Sequence, residues 1–226
     1  MEQVLFKRAK KTFDVNAVEQ STKELFILRE EFVKKFSIEK ISSMRIEEYV
    51  VGLQSQDSFC YWLERTLHSL GNIAGQASFK FGIWYSPTKE EYCFQSRFGD
   101  NYEEAYNNVK SAILDLLIAG EKKDYRSIVK NPINSAIKGK ILATYYPEKY
   151  MNVYASKHLD YYMAALGIGS KELLKSDVVY KREALLNFKN NDEDMRNWSN
   201  YVFSVFLWSH YMKVDGSFVS VSAVTS

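Results

Sequence analysis

The 226-residue sequence has little of what crosslinks, kinks or loosens a chain: two cysteines, three prolines and ten glycines. Cys60 and Cys93 are too few for a disulfide framework or a cysteine-rich zinc site, and fit a reducing cytoplasm. No run approaches 18 uninterrupted apolar residues, so no membrane-spanning helix and no membrane partner is expected. The opening residues Met1 to Arg8 lack an apolar core of signal-peptide length. No repeat and no low-complexity linker divides the chain.

Catalytic and cofactor signatures are also missing. Neither GxxxxGK[ST] nor GxGxxG occurs. Gly71-Asn72-Ile73-Ala74-Gly75 could turn backbone N–H groups toward a phosphate, but reads first as a tight connection before a strand. His68, His158 and His210 fall on separate predicted helices, outside any HxxxH spacing. Asp192-Glu193-Asp194 precede a helix, where acidic residues complement the helix dipole. The expectation is therefore no catalytic residue, no metal and no cofactor. A Cys–His pair meeting in space is the remote enzymatic alternative.

What the sequence does hold is apolar and aromatic: 46% hydrophobic residues, with 16 tyrosines and 14 phenylalanines. That is ample for a sizeable core, in one large domain or in one main domain with a helical appendage. Leu25, Leu28, Phe32 and Phe36 predict a helix over residues 17–36, and a shorter helix is read across Arg45–Val51, ended by Gly52. Asp57 and Ser58 open another, carrying Phe59, Trp62, Leu63, Leu67 and Leu70. Ala77–Tyr85 alternates apolar with polar residues, which predicts a half-buried strand that puts Lys80 and Trp84 on its polar face. Ser86-Pro87-Thr88-Lys89 is the turn, and Tyr92–Arg97 the returning strand.

Asp100-Asn101-Tyr102-Glu103 reads as a capping box for a helix striped by Tyr102, Ala105, Tyr106, Val109, Ile113, Leu116 and Leu117, with Gly120 as its stop. Residues 121–134 read as a basic loop, Lys138–Tyr146 as helix or strand, and Met151–Tyr154 as a short strand. Ser156 caps a helix ended by Gly167. Helices follow over 178–189 and 193–213, the second burying Trp198, Val202, Val205, Phe206 and Trp208. The expected fold is α+β, predominantly helical with a small antiparallel hairpin. Residues 1–16 are expected to be a flexible basic segment, 17–168 the main α+β domain, 169–213 a packed helical pair and 214–226 a frayed tail.

Net charge is only +2, so any basic surface must come from uneven distribution. Residues 121–160 concentrate Lys122, Lys123, Arg126, Lys130, Lys138, Lys140, Lys149 and Lys157 against four acidic residues, with Tyr145, Tyr146, Tyr150 and Tyr154. Lysines that reach phosphates beside aromatic faces that stack on bases are what nucleic-acid contact requires. An ordinary solvated face with tyrosines along the core rim explains the same residues. The candidate stacking residues are Trp84, Tyr85, Tyr145, Tyr146 and Tyr154. The candidate phosphate contacts are Lys80, Arg97, Lys138, Lys140, Lys149 and Lys157.

Three segments carry a family resemblance: Asp57-Ser58-Phe59-Cys60-Tyr61-Trp62-Leu63-Glu64; Leu70-Gly71-Asn72-Ile73 leading into Phe79-Lys80-Phe81-Gly82-Ile83-Trp84-Tyr85; and Lys138-Gly139-Lys140-Ile141-Leu142 through Tyr146-Pro147-Glu148-Lys149-Tyr150, Val153-Tyr154 and Ser156-Lys157-His158-Leu159. Together, across about residues 37–168, they resemble the N-terminal regions of McrB-type AAA+ GTPases from modification-dependent restriction systems. The resemblance implies a module that chooses double-stranded DNA, for which a separate motor and nuclease would be partners. No Walker motif is present, so the motor activity is not implied for this chain. A protein-interaction module docking a motor or nuclease through helices 178–213 is the alternative, with Trp198, Tyr201, Phe206 and Trp208 as its aromatic face.

Overall fold

The computed structural model describes residues 2–74 and 77–211. The expected tail over 214–226 lies outside them. Two helical stretches fill most of the described chain, before and after one small sheet, so the fold is a predominantly helical α+β.

The first stretch is α1 (Glu2–Thr12), α2 (Val15–Ser21), α3 (Lys23–Lys35), α4 (Ile38–Ser43), α5 (Ile46–Tyr49) and α6 (Phe59–Tyr61). The side chains of Asp14, Ser37 and Ser58 accept N–H bonds at the starts of α2, α4 and α6. α6 runs into a π-helical turn, Trp62–Thr66, and a 3-10 turn, His68–Leu70.

The sheet is β1 (Ile83–Ser86) paired antiparallel with β2 (Glu91–Phe94), in the register Ile83↔Phe94 and Trp84↔Cys93. The strand expected over Ala77–Tyr85 begins late, because Ser78–Phe81 is a 3-10 turn. The alternation was real, but there a helical turn uses it. Lys80 and Phe81 both point inward as a result.

The second stretch is α7 (Tyr102–Glu121), α8 (Tyr125–Lys130), α9 (Ser135–Tyr145), α10 (Ser156–Ala165), α11 (Lys171–Lys175), α12 (Val178–Asn191) and α13 (Asn200–Tyr211). Asn101 caps α7 by accepting from Glu104 N at 2.9 Å. Gly120, expected as the stop, lies inside α7 and lets α9 approach; a Cβ there would overlap Leu142 Cδ2. The expected basic loop contains α8, started by Asp124 accepting from Ser127 N at 3.2 Å. Lys138–Tyr146 resolves as helix because Asn134 caps it and most of its length is buried all round. Trp198 precedes α13 rather than lying on it, and Trp208 is 54% exposed.

The buried side chains form two clusters. The larger joins α3, α4, α7 and α9 with the hairpin, through Phe32, Phe59, Leu63, Ile83, Val109, Ile113 and Ile141. The smaller joins α10, α12 and α13, through Leu159, Met163, Leu185, Phe203 and Phe206. Between them runs Tyr150–Tyr154, which alternates: Tyr150 and Tyr154 enter the larger cluster, Met151 and Val153 the smaller. The expected strand at Met151–Tyr154 is thus an extended divider without a ladder. Its period of two comes from having a core on each side.

Residues 1–16, expected to be flexible or loosely docked, carry a docked helix. Phe6 and Phe13 pack edge-on against Phe206, with centroids 6.0 and 5.2 Å away, and Lys10 pairs with Asp192 at 2.8 Å and Asp194 at 2.7 Å. α10, assigned by sequence to the main domain, shares the smaller core with α12 and α13. No helix among the described residues is long and apolar enough to cross a membrane.

Candidate nucleic-acid interface

Strand alternation sorts the hairpin side chains. Ile83, Tyr85, Tyr92 and Phe94 share the face turned to the larger core. Tyr85 meets Tyr92 at 5.4 Å, and Tyr92 stacks on Tyr102 at 5.2 Å. Tyr85 is thereby a packing residue. Trp84 and Cys93 occupy the opposite face, half-buried and outside that core. Gln95 follows on the same face as Cys93 and donates its side-chain amide to the Phe79 carbonyl. The Phe79 ring is left 49% exposed beside the sheet. Two residues further on, Arg97 is exposed, its guanidinium 4.9 Å from the Phe98 ring centre. Phe79 escaped the sequence reading because a strand would have turned it inward; the 3-10 turn turns it out.

Most of the other predicted contacts are spent inside the molecule. Lys80 is 1% exposed and paired with Glu64, itself buried beneath the π-helical turn. Lys138 donates to the carbonyls of Ile128, Val129 and Asn131 at 2.8–3.2 Å, closing the C-terminal end of α8. Burial pushes its ammonium below the usual lysine value, helped by repulsion from Arg182 and Arg97. Lys140 is fully buried and donates to the Leu67 and Gly71 carbonyls; desolvation lowers it to about 7. None of these three lysines can reach a phosphate. All sit on positions that pattern alone marks as solvated, and each finds carbonyls or a carboxylate that make its burial tolerable.

The tyrosines behave likewise. Tyr145 donates its hydroxyl to Phe36 O, Tyr146 to Leu117 O at 2.9 Å, and Tyr154 to Leu70 O at 2.8 Å. Their rings are wall and floor of the core, and burial raises all three phenols. Tyr145, Tyr146 and Tyr154 are therefore not available to stack on a base. Lys149 is half-buried and donates to Glu121 O at 2.7 Å, at the end of α7. Lys157 is exposed, but on α10, which belongs to the smaller core.

Of the predicted residues, Trp84 is left half-buried outside the larger core, and Arg97 is exposed. The structure adds Phe79, and exposed cations stand on α8, which packs on α7 and α12. Arg126 and Lys130 are both exposed and one helical turn apart. The Lys138 ammonium sits on the last carbonyls of α8, and Arg97 is among the cations whose repulsion adds to burial in lowering it.

The cysteine–histidine alternative gains nothing. Cys60 is fully buried against Tyr49, and desolvation pushes its thiol well above the ordinary range, away from a reactive thiolate. Among the described residues no three His, Cys, Asp or Glu side chains are grouped to hold a metal ion.

In comparison with known proteins, no family model matches the chain, and no curated protein or solved structure shows significant similarity to it.

Proposed function

We propose that this chain is a DNA-recognition module of a restriction or phage-defence system, without catalysis of its own. The observation that carries the reading is the outward face of the hairpin. Trp84 on the sheet lies outside the larger core, Phe79 in the turn leading into the sheet is exposed, and Arg97 after it and Arg126 and Lys130 of α8 are exposed cations. Aromatic faces stack on unpaired or flipped bases, and flexible cations neutralise phosphates. Trp84 and Phe79 are the stacking residues in this reading; Arg97, Lys130 and Arg126 are the phosphate contacts. The resemblance to McrB-type N-terminal regions supports double-stranded DNA, including DNA carrying a modified base, as the partner. An AAA+ motor and a nuclease are further proposed partners.

Fluorescence anisotropy with labelled duplexes at two salt concentrations tests this. Binding should weaken steeply with salt, Arg97→Ala should reduce the salt slope by roughly one, and Trp84→Ala should weaken binding with the slope unchanged. An absence of binding at low salt, or binding indifferent to salt, would sink the reading. A protein-docking surface on α13 is the second reading, favoured by Trp208 standing 54% exposed against His158 at 5.9 Å. Light scattering that showed only monomer, alone and with an added motor or nuclease partner, would remove it.

A further inference from the structure

The hairpin has one edge taken and one edge open. On β1, the Tyr85 N–H donates away from β2, to Val51 O at 2.9 Å. Tyr85↔Tyr92 is therefore a non-hydrogen-bonded pair, and the ladder bonds fall at Trp84↔Cys93 and Ser86↔Glu91. Gln95 N–H donating to Gly82 O at 2.9 Å continues the same alternation. It follows that Tyr92 and Phe94 turn their N–H and C=O groups to the outer edge of β2. None of these four groups has a hydrogen-bond partner among the described residues. Such a row of unspent donors and acceptors is a template for one more strand.

A second copy of the same strand fits that edge. Laid antiparallel with Cys93 facing Cys93, it pairs Tyr92 with Phe94 of the second copy and Phe94 with its Tyr92. Each pair exchanges two N–H···O bonds, so every outward group of both strands is used. Centring on Tyr92 or on Phe94 instead brings in Glu90 or Ser96, which lie outside the strand. The charges agree with this direction. Glu90 and Glu91 stand exposed at the start of β2, and Arg97 stands exposed beyond its end. Antiparallel pairing sets Glu91 opposite Gln95 of the second copy and diagonal to its Arg97, whereas a parallel copy sets like against like. Lys89, paired with Glu91 at 3.6 Å, sits in the turn beyond the ladder. An aromatic ring also flanks this strand: Tyr102, stacked on Tyr92 at 5.2 Å, is 41% exposed.

We propose that two copies of this chain pair through the outer edge of β2, antiparallel about a two-fold axis at Cys93, and so build one four-stranded sheet. The contact is isologous and closes on itself, which leaves no further edge of β2 to extend the assembly. Trp84, Cys93, and the Cys93 and Trp84 of the second copy then lie in one row on the outward face, the outer strands about 14 Å apart. The inference does not rest on DNA binding, since it holds or fails with the free protein.

Sedimentation velocity of the whole chain over a concentration series should show a monomer–dimer equilibrium. Cys93 is the reporter of where the two copies meet. Residues facing each other as a non-hydrogen-bonded pair have Cα atoms about 4.5 Å apart, within reach of a disulfide. Cys60 is fully buried, which leaves Cys93 as the accessible thiol. Diamide joins two Cys93 thiols in one disulfide and itself takes up the two hydrogens. The covalent dimer should appear in proportion to the sedimenting dimer and be absent from Cys93→Ser, which should still associate. Cys93→Lys sets two ammonium groups face to face across the axis and should weaken association about fivefold. Glu91→Arg should weaken it a few-fold, and adding Arg97→Glu should restore it. A monomer throughout the series overturns the proposal, as does a dimer that Cys93→Lys leaves unchanged. A dimer that diamide does not trap places the contact elsewhere, α13 included, and also overturns it. If Cys93→Lys does not fold, failure of Arg97→Glu to rescue Glu91→Arg overturns it.

Discussion

Lys80 and Lys140 are lysines that belong to the core, and each makes a prediction. The Lys80–Glu64 pair is almost wholly buried, so removing one partner strands the other charge. Lys80→Met should cost about 3–5 kcal/mol in urea unfolding, and adding Glu64→Leu should restore much of it. Recovery failing in the double variant would show that the two charges do not act as a pair. Lys140 is lowered from 10.5 to about 7 by burial. Below about 7 it is charged in both folded and unfolded chains, and the burial penalty is felt in full. Above that, the unfolded chain still binds the proton and the fold does not, so stability rises with pH. The clean window is about pH 7–8, before Cys60 and then the buried tyrosines, whose raised values act in the opposite direction, begin to titrate in the unfolded chain. Lys140→Met should flatten that rise in melting temperature; an unchanged slope would contradict the assignment.

At the scale of elements, α7 shows a propensity rule overridden by packing. Glycine in a helix interior is ordinarily about 1 kcal/mol worse than alanine. Gly120 is buried where α7 crosses α9, with Leu142 and Tyr146 against its Cα side. Gly120→Ala should therefore destabilise by about 1–3 kcal/mol in spite of its better propensity, because Leu142 is fully buried and has nowhere to move. A stabilised variant would mean that the crossing is looser than described. The same scale explains which features the sequence pattern encodes. The cap at Ser58 and the turn at Ser86–Lys89 are local chemistry, legible from a few neighbouring residues, while the box expected at Asp100–Glu103 lies one residue later, with Asn101 as the cap. The 3-10 turn at Ser78–Phe81 was not legible, since alternation over so few residues suits either conformation until Lys80 has found Glu64.

For the whole molecule, the decisive feature is a pair of cores separated by Tyr150–Tyr154 and completed by the chain's first helix. Phe13 touches Phe206, Trp198 and His210, all within 5.2–5.7 Å, and bridges α1 to the end of the fold. Phe13→Ala should cost about 2–3 kcal/mol, less than the full value for a phenylalanine because the ring is half-buried. Hydrogen exchange should quicken mainly in α1, α12 and α13. Uniform quickening across both cores would show instead that the two unfold as one unit.

The sequence by itself determined the class of this fold, because helix caps, apolar stripes and a hairpin turn are encoded in residues close together along the chain. It also concentrated cations and aromatics enough to suggest a nucleic-acid partner. Tertiary structure alone decided which of those side chains remain at the surface. Lys80, Lys138 and Lys140, with Tyr145, Tyr146 and Tyr154, all found distant partners, on the π-helical turn, α8, the loop at Gly71 and the ends of other helices. Trp84, Phe79 and Arg97 found none in the larger core's interior. Burial is a property of what packs over a residue, and what packs over it comes from far along the chain.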